Sequence, residues 1–363
     1  MRRMLTRTEV ALLRLVAQRV VGPRCPTATE TVRHLCALQA QDFPAALAAV
    51  TLRTEPADDG GIVGSLDRGE VVRSWPMRGT LHLVAAEDLS WMQSLTTDRL
   101  ITGAARRRAQ LGIDDAMLDR ALEVATAALS GGRSLSRSEL MTLWNEAGLL
   151  EAGQRGYHLL WNLAQRGFLC LGPTANGEQR IVLLHEWVPE PRQLEREEAL
   201  GEWVLRYFRG HGPATLKDFT WWTKLTVADA KIGLAVARPH LESVEVDGVE
   251  HLMDPTTPEL LAEHRRAARG VVLLPAFDEM ILGYQDRSAT LPPEHADRIV
   301  PGGNGMFRPI VVSGGRVVGT WRRVGNGSRR RIETEPFATL TATVERGVTR
   351  AADSYPELAL GRA

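Results

Sequence analysis

The chain has 363 residues, which is enough for two or three domains and a sizeable buried core. Its formal net charge is zero, so overall charge indicates neither a nucleic-acid nor a membrane partner. Three scattered cysteines exclude a disulfide framework, and no run of about 18 apolar residues predicts a membrane-spanning helix. We therefore expect a protein of the reducing cytoplasm.

The N-terminal part of the chain predicts helices followed by a β-hairpin. Capping-box signals at residues 6–9 and 27–30 each predict the start of a helix. Charges at helical spacing interrupt the first of these helices, so we interpret it as amphipathic and not as a signal peptide. Two strand-like runs, "EVVRSWPM" and "TLHLVA", then form a hairpin. This order predicts a winged helix-turn-helix module over residues 1–112.

The same order of elements returns twice. A capping box at 136–139, the helix "QRGYHLLWNLAQRG" and the strands "FLCLGP" and "RIVLLHEW" predict a second module over 113–191. Capping signals at 215–218 and 226–229, followed by the hairpin "ESVEVDGVEHLMD", predict a third module over 192–268. The recurrence is one of structure, with little sequence identity between the modules.

After the third module the sequence pattern changes from helical to strand-like. "GVVLLPAFDEMILGY" and "FRPIVVSGGRVVGTWRR" are both strand-like, and the second contains a hairpin turn. They predict a β-rich region over 269–363. The fold class is therefore α+β, with three tandem winged helices and a C-terminal β-rich region.

Two uncharged amides, Gln39 and Gln41, end the apolar stretch "HLCALQAQDFP". In a continuous helix they would lie about 200° apart and could not share a target. They converge only if the helix ends or bends, which Asp42 and Pro44 favour. Either the two amides face a cleft together, or Gln39 caps backbone groups while Gln41 is solvated.

The hairpin "RSWPMRGTLHLV" is a second candidate site. Its Trp75, Arg78 and His82 offer a stacking surface, a phosphate ligand and a polar group. The alternative is an ordinary amphipathic hairpin, in which Trp75 belongs to the core and His82 is a satisfied surface residue.

A third candidate is the stretch 299–332, which holds no acidic residue. Arginines interleaved with Phe307 and Trp321 suit a phosphate backbone. The arginines are Arg308, Arg316, Arg322, Arg323, Arg329, Arg330 and Arg331.

Other patterns of chemistry are missing from the sequence. The acidic stretch "PAFDEMILGYQDRS" does not mark a paired-carboxylate site, and we interpret it as mainly structural, with Asp278 or Tyr284 near a cleft. No cluster has metal-ligand spacing, and no phosphate loop or dinucleotide motif occurs. We expect neither a metal nor another cofactor.

Four segments, distributed between both ends of the chain, occur in an order typical of one family. They are "LQAQDFPAALAAVTLR", "SWPMRGTLHLVAAEDLSWM", "LLPAFDEMILGYQDRS" and "NGMFRPIVVSGGRVVGTWRR". Through them the chain resembles the bacterial winged-helix DNA glycosylases of the AlkZ type over nearly its whole length.

The resemblance implies a C-shaped, positively lined channel for duplex DNA, built from three winged helices and a β-rich part. It implies hydrolysis of the N-glycosidic bond of N7-alkylated purines, as DNA repair or as self-resistance to a DNA-alkylating natural product. The family motif is Gln–apolar–Gln in the branch that unhooks interstrand crosslinks and Gln–apolar–Asp in another. Gln39-Ala40-Gln41 matches the first, so Gln39 and Gln41 are the expected catalytic residues, and Asp42 receives no catalytic role.

The resemblance also implies the partner and its contacts. The partner is double-stranded DNA carrying alkylated or crosslinked bases, so we expect a cytoplasmic protein associated with the nucleoid. Because one chain holds three DNA-binding modules, we expect a monomer. Its contacts are assigned to two hairpins, through Arg78, His82, Arg308, Arg322 and Arg323.

The chemistry explains why amides suffice. Alkylation at N7 makes the base a cationic leaving group, so no strong acid is needed, and two amide oxygens can align a water at the anomeric carbon. Only Lys217, Lys224 and Lys231 are lysines and none is in the motif, so we expect monofunctional hydrolysis without a Schiff base.

Two other readings remain open. One is a non-catalytic winged-helix DNA-binding protein, such as a regulator or a drug-sequestering factor, which would have no need of the glutamine pair. The other is a different hydrolase on the same scaffold.

Overall fold

The computed structural model describes residues 3–56, 58, 60–151, 153–325 and 331–356. In chain order, the strands are β1 (Arg3–Met4), β2 (Leu38–Gln39), β3 (Val71–Met77), β4 (Thr80–Ala85), β5 (Leu169–Ala175), β6 (Glu178–Leu183), β7 (Glu242–Val246), β8 (Val249–Met253), β9 (Val271–Leu274), β10 (Ile310–Ser313), β11 (Arg316–Val324) and β12 (Arg331–Pro336). The helices are α1 (Arg7–Ala17), α2 (Ala28–Leu35), α3 (Phe43–Thr51), α4 (Gly61–Asp67), α5 (Leu89–Gly103), α6 (Ala105–Gln110), α7 (Asp115–Leu129), α8 (Arg137–Glu146), α9 (Arg155–Gln165), α10 (Leu184–Trp187), α11 (Arg196–His211), α12 (Leu216–Thr223), α13 (Val227–Ala237), α14 (Thr257–Ala268), α15 (Glu279–Leu282), α16 (Ala296–Ile299) and α17 (Ala342–Asp353).

The chain divides into two compact units. Unit 1 comprises Met1–Asp58 and Leu200–Leu358, and unit 2 comprises Asp59–Ala199 with Ala359–Ala363. Unit 2 is therefore inserted between two segments of unit 1 along the sequence.

Unit 1 contains two sheets and the helices around them. One sheet has the order β1-β7-β8, with β1 parallel to β7 and the β7–β8 hairpin antiparallel. The other has the order β12-β11-β10-β9 and is antiparallel throughout. Helix α1 packs on α14, and every residue from Val10 to Ala17 is buried, so α1 is a core helix of this unit.

Unit 2 is built around strands in the order β4-β3-β5-β6, all antiparallel. Helices α7, α8 and α9 precede the β5–β6 hairpin and pack with it around one apolar core. Trp144 is completely buried in that core and donates its indole N–H to the carbonyl of Ala121 at 2.9 Å. This bond satisfies the one side-chain polar atom of Trp144.

The predicted helix starts are confirmed. The N-caps Thr6, Thr27, Ser136 and Thr215 each accept a hydrogen bond from the backbone of the residue three positions on, whose carboxylate accepts from the cap in return. Thr226 caps α13 by accepting the backbone N–H of Asp229, without the return bond to its own backbone. Each cap satisfies backbone donors that the first helical turn leaves unpaired.

The predicted extended run "GVVLLPAFDEMILGY" is only partly a strand. Strand β9 ends at Leu274, and Phe277, with a φ of 58°, turns the backbone. Asp278 then caps the short helix α15. The run is apolar because it is buried, and burial alone does not distinguish a strand from a short helix. The hairpin predicted through Ser313-Gly314-Gly315 is confirmed by β10 and β11.

The mixed α+β class is confirmed by these elements. Among the described residues, no helix has both the length and the apolar character that crossing a membrane requires.

Candidate active site

The two predicted glutamines lie on an extended segment between two helices of unit 1. Helix α2 ends at Leu35, and its C-cap Cys36, with a φ of 66°, turns the backbone out of the helix. Strand β2 includes Gln39, and Asp42 then caps α3 by accepting the backbone N–H of Ala45. The helix therefore ends before both glutamines, which is the condition for a shared target.

Gln39 and Gln41 are bonded to each other. Gln39 Nε2 donates to Gln41 Oε1 at 2.8 Å, since side chains two residues apart on an extended backbone project to the same side. Gln39 is 7% exposed, whereas Gln41 is an exposed residue. The pair thus reaches from the interior to the surface with both carboxamides oriented. An amide oxygen accepts two hydrogen bonds, so the bonded Gln41 oxygen can also accept one from a water.

A buried carboxylate lies behind Gln39. Glu279, 2% exposed, accepts the backbone N–H of Gln39 through Oε1 at 3.3 Å. Its Oε2 accepts the indole N–H of Trp222 at 2.9 Å and lies 3.4 Å from His211 Nε2. Glu279 was not predicted for the site, because the contact joins residues 240 positions apart. The one signal in the sequence was an acidic dipeptide inside an apolar run.

The neighbouring Asp278 makes a buried ion pair with Arg53. The two side chains are at most 1% exposed and bond in bidentate fashion, both at 2.9 Å. Arg53 also donates to the carbonyls of Gln18 and Ala49, and Gln18 donates its side-chain amide to the Tyr284 hydroxyl at 2.9 Å. These contacts agree with the interpretation of the acidic stretch as mainly structural, and a position of Asp278 or Tyr284 near a cleft stays a prediction.

In unit 2, Arg78 and His82 meet at the turn of the β3–β4 hairpin. His82 is fully buried, with Nδ1 2.8 Å from the carbonyl oxygen of Thr80 and Nε2 2.8 Å from Arg78 Nη2. A carbonyl only accepts, so Nδ1 carries the proton and Nε2 accepts from Arg78. Burial first, and the Arg78 charge second, hold the pKa of His82 well below its ordinary value. Trp75 is a core residue, 2% exposed, as the amphipathic-hairpin alternative has it.

The other predicted DNA-contacting residues lie in unit 1. Arg308, Arg322 and Arg323 are all exposed. Arg322 pairs with Glu333 across β11 and β12 at 3.1 Å. Glu333 directly follows the acid-free stretch 299–332 in the sequence, and its carboxylate offsets part of the positive charge of the arginines in that stretch. An exposed pair of this kind is weak, and a phosphate group can compete for the guanidinium.

The aromatic residues of this stretch belong to the protein interior. Trp321 is 7% exposed and donates its indole N–H to the carbonyl of Leu274 at 2.8 Å, and Phe307 is partly buried. Arg329 and Arg330 lie outside the described residues. Within the part of the chain that the structure describes, no group of three His, Cys, Asp or Glu side chains could hold a metal ion.

His34, in the last turn of α2, makes unit 1 sensitive to acid. Its Nε2 lies 2.6 Å from the carbonyl oxygen of Ala17, and burial lowers its pKa from 6.5 to about 4. Between about pH 4 and pH 6.5, His34 therefore binds a proton in the unfolded chain but not in the folded chain. The stability from this pKa difference, up to about 3 kcal/mol, is complete above pH 6.5 and is lost as the pH falls towards 4.

We expect urea unfolding at pH 7 and pH 4.5 to show this loss. His34→Gln should be less stable than the wild type at pH 7 and should lose less of its free energy of unfolding between the two pH values. His240→Gln removes an exposed histidine and is the matched control, with the wild-type pH dependence. Equal pH dependence in the wild type and His34→Gln would contradict the assignment.

Comparison with known proteins identifies the family of the chain. The profile of the family described as DNA glycosylase AlkZ-like matches residues 32–358. The chain is 30% identical over 319 residues to the interstrand DNA cross-link repair glycosylase of Streptomyces sahachiroi, a match that covers 82% of this chain and 83% of the relative.

The solved structure of the Streptomyces sahachiroi DNA glycosylase AlkZ is also similar. It aligns with a TM-score of 0.76 at 26% identity and covers 96% of this chain and 95% of that one. The family expected from four sequence segments is confirmed, and the chain belongs to the AlkZ-like DNA glycosylase family.

Proposed function

We propose that this family member hydrolyses the N-glycosidic bond of N7-alkylated purines in duplex DNA and leaves an abasic site. The observation that carries the proposal is the bonded carboxamide pair of Gln39 and Gln41, which joins the interior to the surface. Neither residue can protonate a leaving group, so the pair suits a substrate whose leaving group is already activated. An alkylated purine, with a positive charge on its imidazole ring, is such a substrate.

The proposed mechanism divides the work between the substrate and the pair. The C1′–N9 bond breaks with its electron pair going to the base, which neutralises the charge created by alkylation. Cationic character develops at C1′, where the oxygen of a water held by the Gln39–Gln41 pair attacks, and the water then releases a proton to solvent. The amide oxygens carry partial negative charge, so they both orient the water and stabilise the cation. Because the step needs no covalent enzyme intermediate, we propose a monofunctional glycosylase without a cofactor.

We extend the proposal to interstrand-crosslinked guanine. The supporting observations are the Gln-Ala-Gln form of the motif and the relative named an interstrand DNA cross-link repair glycosylase. A crosslinked base is tethered to the opposite strand and cannot rotate freely into an enclosed pocket. An exposed Gln41 suits such a substrate, since the water-holding group is then at the protein surface. The role would be DNA repair or self-resistance to a DNA-alkylating natural product.

For the architecture, we propose three winged-helix modules at 1–112, 113–191 and 192–268 and a β-rich region at 269–363, bounding a C-shaped channel for DNA. The helix-then-hairpin order of α8, α9, β5 and β6 supports such a module in unit 2. We propose that the protein is a cytoplasmic monomer that binds DNA in the nucleoid.

For the DNA contacts, we propose direct phosphate contacts for Arg78, Arg308, Arg322 and Arg323. The buried position of His82 supports an indirect part, in which its imidazole orients the Arg78 guanidinium.

The test is release of the damaged base in single-turnover reactions with excess protein. One duplex carries a single N7-methylguanine, and a second carries an N7-linked interstrand guanine crosslink. We expect free base and an alkali-labile abasic site from both duplexes, and separated strands from the second. Gln39→Ala protein, purified identically, controls for contaminating glycosylases.

The outcomes separate the candidate functions. Tight binding of either duplex without base release would overturn the proposal and favour a non-catalytic DNA-binding protein. Release of N7-methylguanine alone would retain the glycosylase and remove the crosslink as a substrate.

A further inference from the structure

Glu279 is a buried charge for which the proposed mechanism has no direct use. It is 2% exposed, and burying a carboxylate without partners would be costly. Its position is fixed by the chain around it. Phe277, with a φ of 58°, turns the backbone, and Asp278 caps the helix by accepting the Met280 N–H at 2.9 Å. The first residue of α15 is thereby directed into the interior.

Both oxygens of the carboxylate accept hydrogen bonds, from two separate parts of unit 1. Oε1 takes the Gln39 backbone N–H at 3.3 Å, and Oε2 takes the Trp222 indole N–H at 2.9 Å. His211 Nε2 lies 3.4 Å from Oε2. Oε1 therefore faces the segment that carries Gln39, and Oε2 is held by the indole of α12, with the His211 ring at the end of α11 beside it.

Ring stacking and hydrogen bonds hold the residues behind Glu279 together. The His211 ring is stacked on Tyr207 at 4.8 Å between centroids, and its Nδ1 donates to the Tyr207 carbonyl at 3.2 Å. The Tyr207 hydroxyl donates to the Gly283 carbonyl at 2.6 Å, and the Tyr284 hydroxyl to the His211 carbonyl at 2.7 Å. Helix α11 is thus tied to the end of α15 at two points, which leaves the Glu279 carboxylate little freedom to move.

We propose that Glu279 is a positioning residue that acts through Gln39. By holding the Gln39 N–H, it fixes the backbone from which the Gln39 side chain projects, and hence the direction of the bond to Gln41. Without it, the two-residue strand β2 could rotate, and the carboxamide pair would lose its alignment with the water. This inference rests on the glycosylase function proposed above.

The closing experiment compares the wild type with Glu279→Gln, which keeps the volume and one acceptor oxygen but removes the charge. We expect the single-turnover rate on N7-methylguanine duplex to fall about 10-fold, as for the loss of one charge-assisted hydrogen bond. The dissociation constant for the duplex should stay within about twofold, because no proposed DNA contact changes. Hydrogen exchange in peptides that contain the Gln39 amide should become faster in the variant, with or without DNA.

Trp222→Phe is the second variant. It retains the charge at residue 279 and removes the indole donor that holds Oε2, so we expect a smaller loss of rate and an intermediate acceleration of exchange. Glu263→Gln, which replaces an exposed carboxylate, is the matched control and should behave as the wild type.

The rate and exchange measurements test the glycosylase function and the positioning role of Glu279 separately. If the wild type releases no base, the proposed function fails, while the exchange data still decide whether Glu279 holds Gln39. If the wild type is active and Glu279→Gln matches it in rate or in exchange, the positioning role is wrong and the function stands. A parallel loss of duplex affinity and rate would also overturn the positioning role.

Discussion

Replacing Gln39 or Gln41 by alanine is expected to slow release of N7-methylguanine by about two to four orders of magnitude, with duplex affinity nearly unchanged. Either change removes one half of a bonded pair whose amides lie 2.8 Å apart. The remaining carboxamide then has no partner to fix its direction, so the water is no longer aligned. Single-turnover rates and duplex dissociation constants, measured on the same preparations, test this expectation.

The double variant sharpens the prediction. Residues that act as one unit are not additive, so Gln39→Ala/Gln41→Ala should be no more than about threefold slower than the slower single variant. Gln110→Ala removes an exposed glutamine of unit 2 and should retain the wild-type rate. Additive losses would show that the two amides act separately, and wild-type rates in both single variants would remove them from the mechanism.

Breaking the Arg53–Asp278 pair is expected to cost about 3–5 kcal/mol of the free energy of unfolding. Asp278→Ala would leave the Arg53 guanidinium buried with only neutral acceptors, and it would also uncap α15. Arg53→Met would leave the carboxylate uncompensated in the same site. The loss should appear in urea unfolding and as a lower melting temperature.

A matched exposed pair provides the control. Arg7 and Asp247 bond at 2.7 Å, but their side chains are 54% and 61% exposed. Arg7→Ala should therefore change the free energy of unfolding by less than about 1 kcal/mol. A similarly small effect of Asp278→Ala would mean that water enters the site and solvates Arg53. Asp278→Ala should also reduce activity, because Asp278 caps the short helix α15 that begins with Glu279.

The helix starts were predictable because their cause is local. Thr27 and Glu30 bond to each other's backbone within one turn, so four letters of sequence contain the interaction. For Gln39 and Gln41, the sequence could show only what a shared target requires. A continuous helix would place the two side chains on different faces, whereas an extended backbone places them on the same side. The helix ends at the C-cap Cys36, which has a positive φ. Because cysteine rarely adopts a positive φ, the residue at this position does not predict that end.

The surroundings of the glutamines could not be predicted in this way. Glu279 and Gln39 are 240 residues apart, and no local pattern joins them. The strand predicted through Glu279 was wrong because a buried apolar run fits either a strand or a short helix. A core position for Trp75 was one of the two alternatives, but His82 was expected at the surface, and its burial is set by elements that the hairpin sequence does not contain.

The insertion of unit 2 within unit 1 has a consequence for the timing of synthesis. The ribosome makes the glutamine pair first, then residues 59–199 of unit 2, and only afterwards the turn that carries Glu279. At typical elongation rates the interval is roughly 10–50 s. During this interval the nascent chain holds both glutamine side chains without the carboxylate that accepts the Gln39 backbone N–H. On the proposed mechanism, the full rate of base release therefore requires the turn that carries Glu279, which is made long after the glutamine pair.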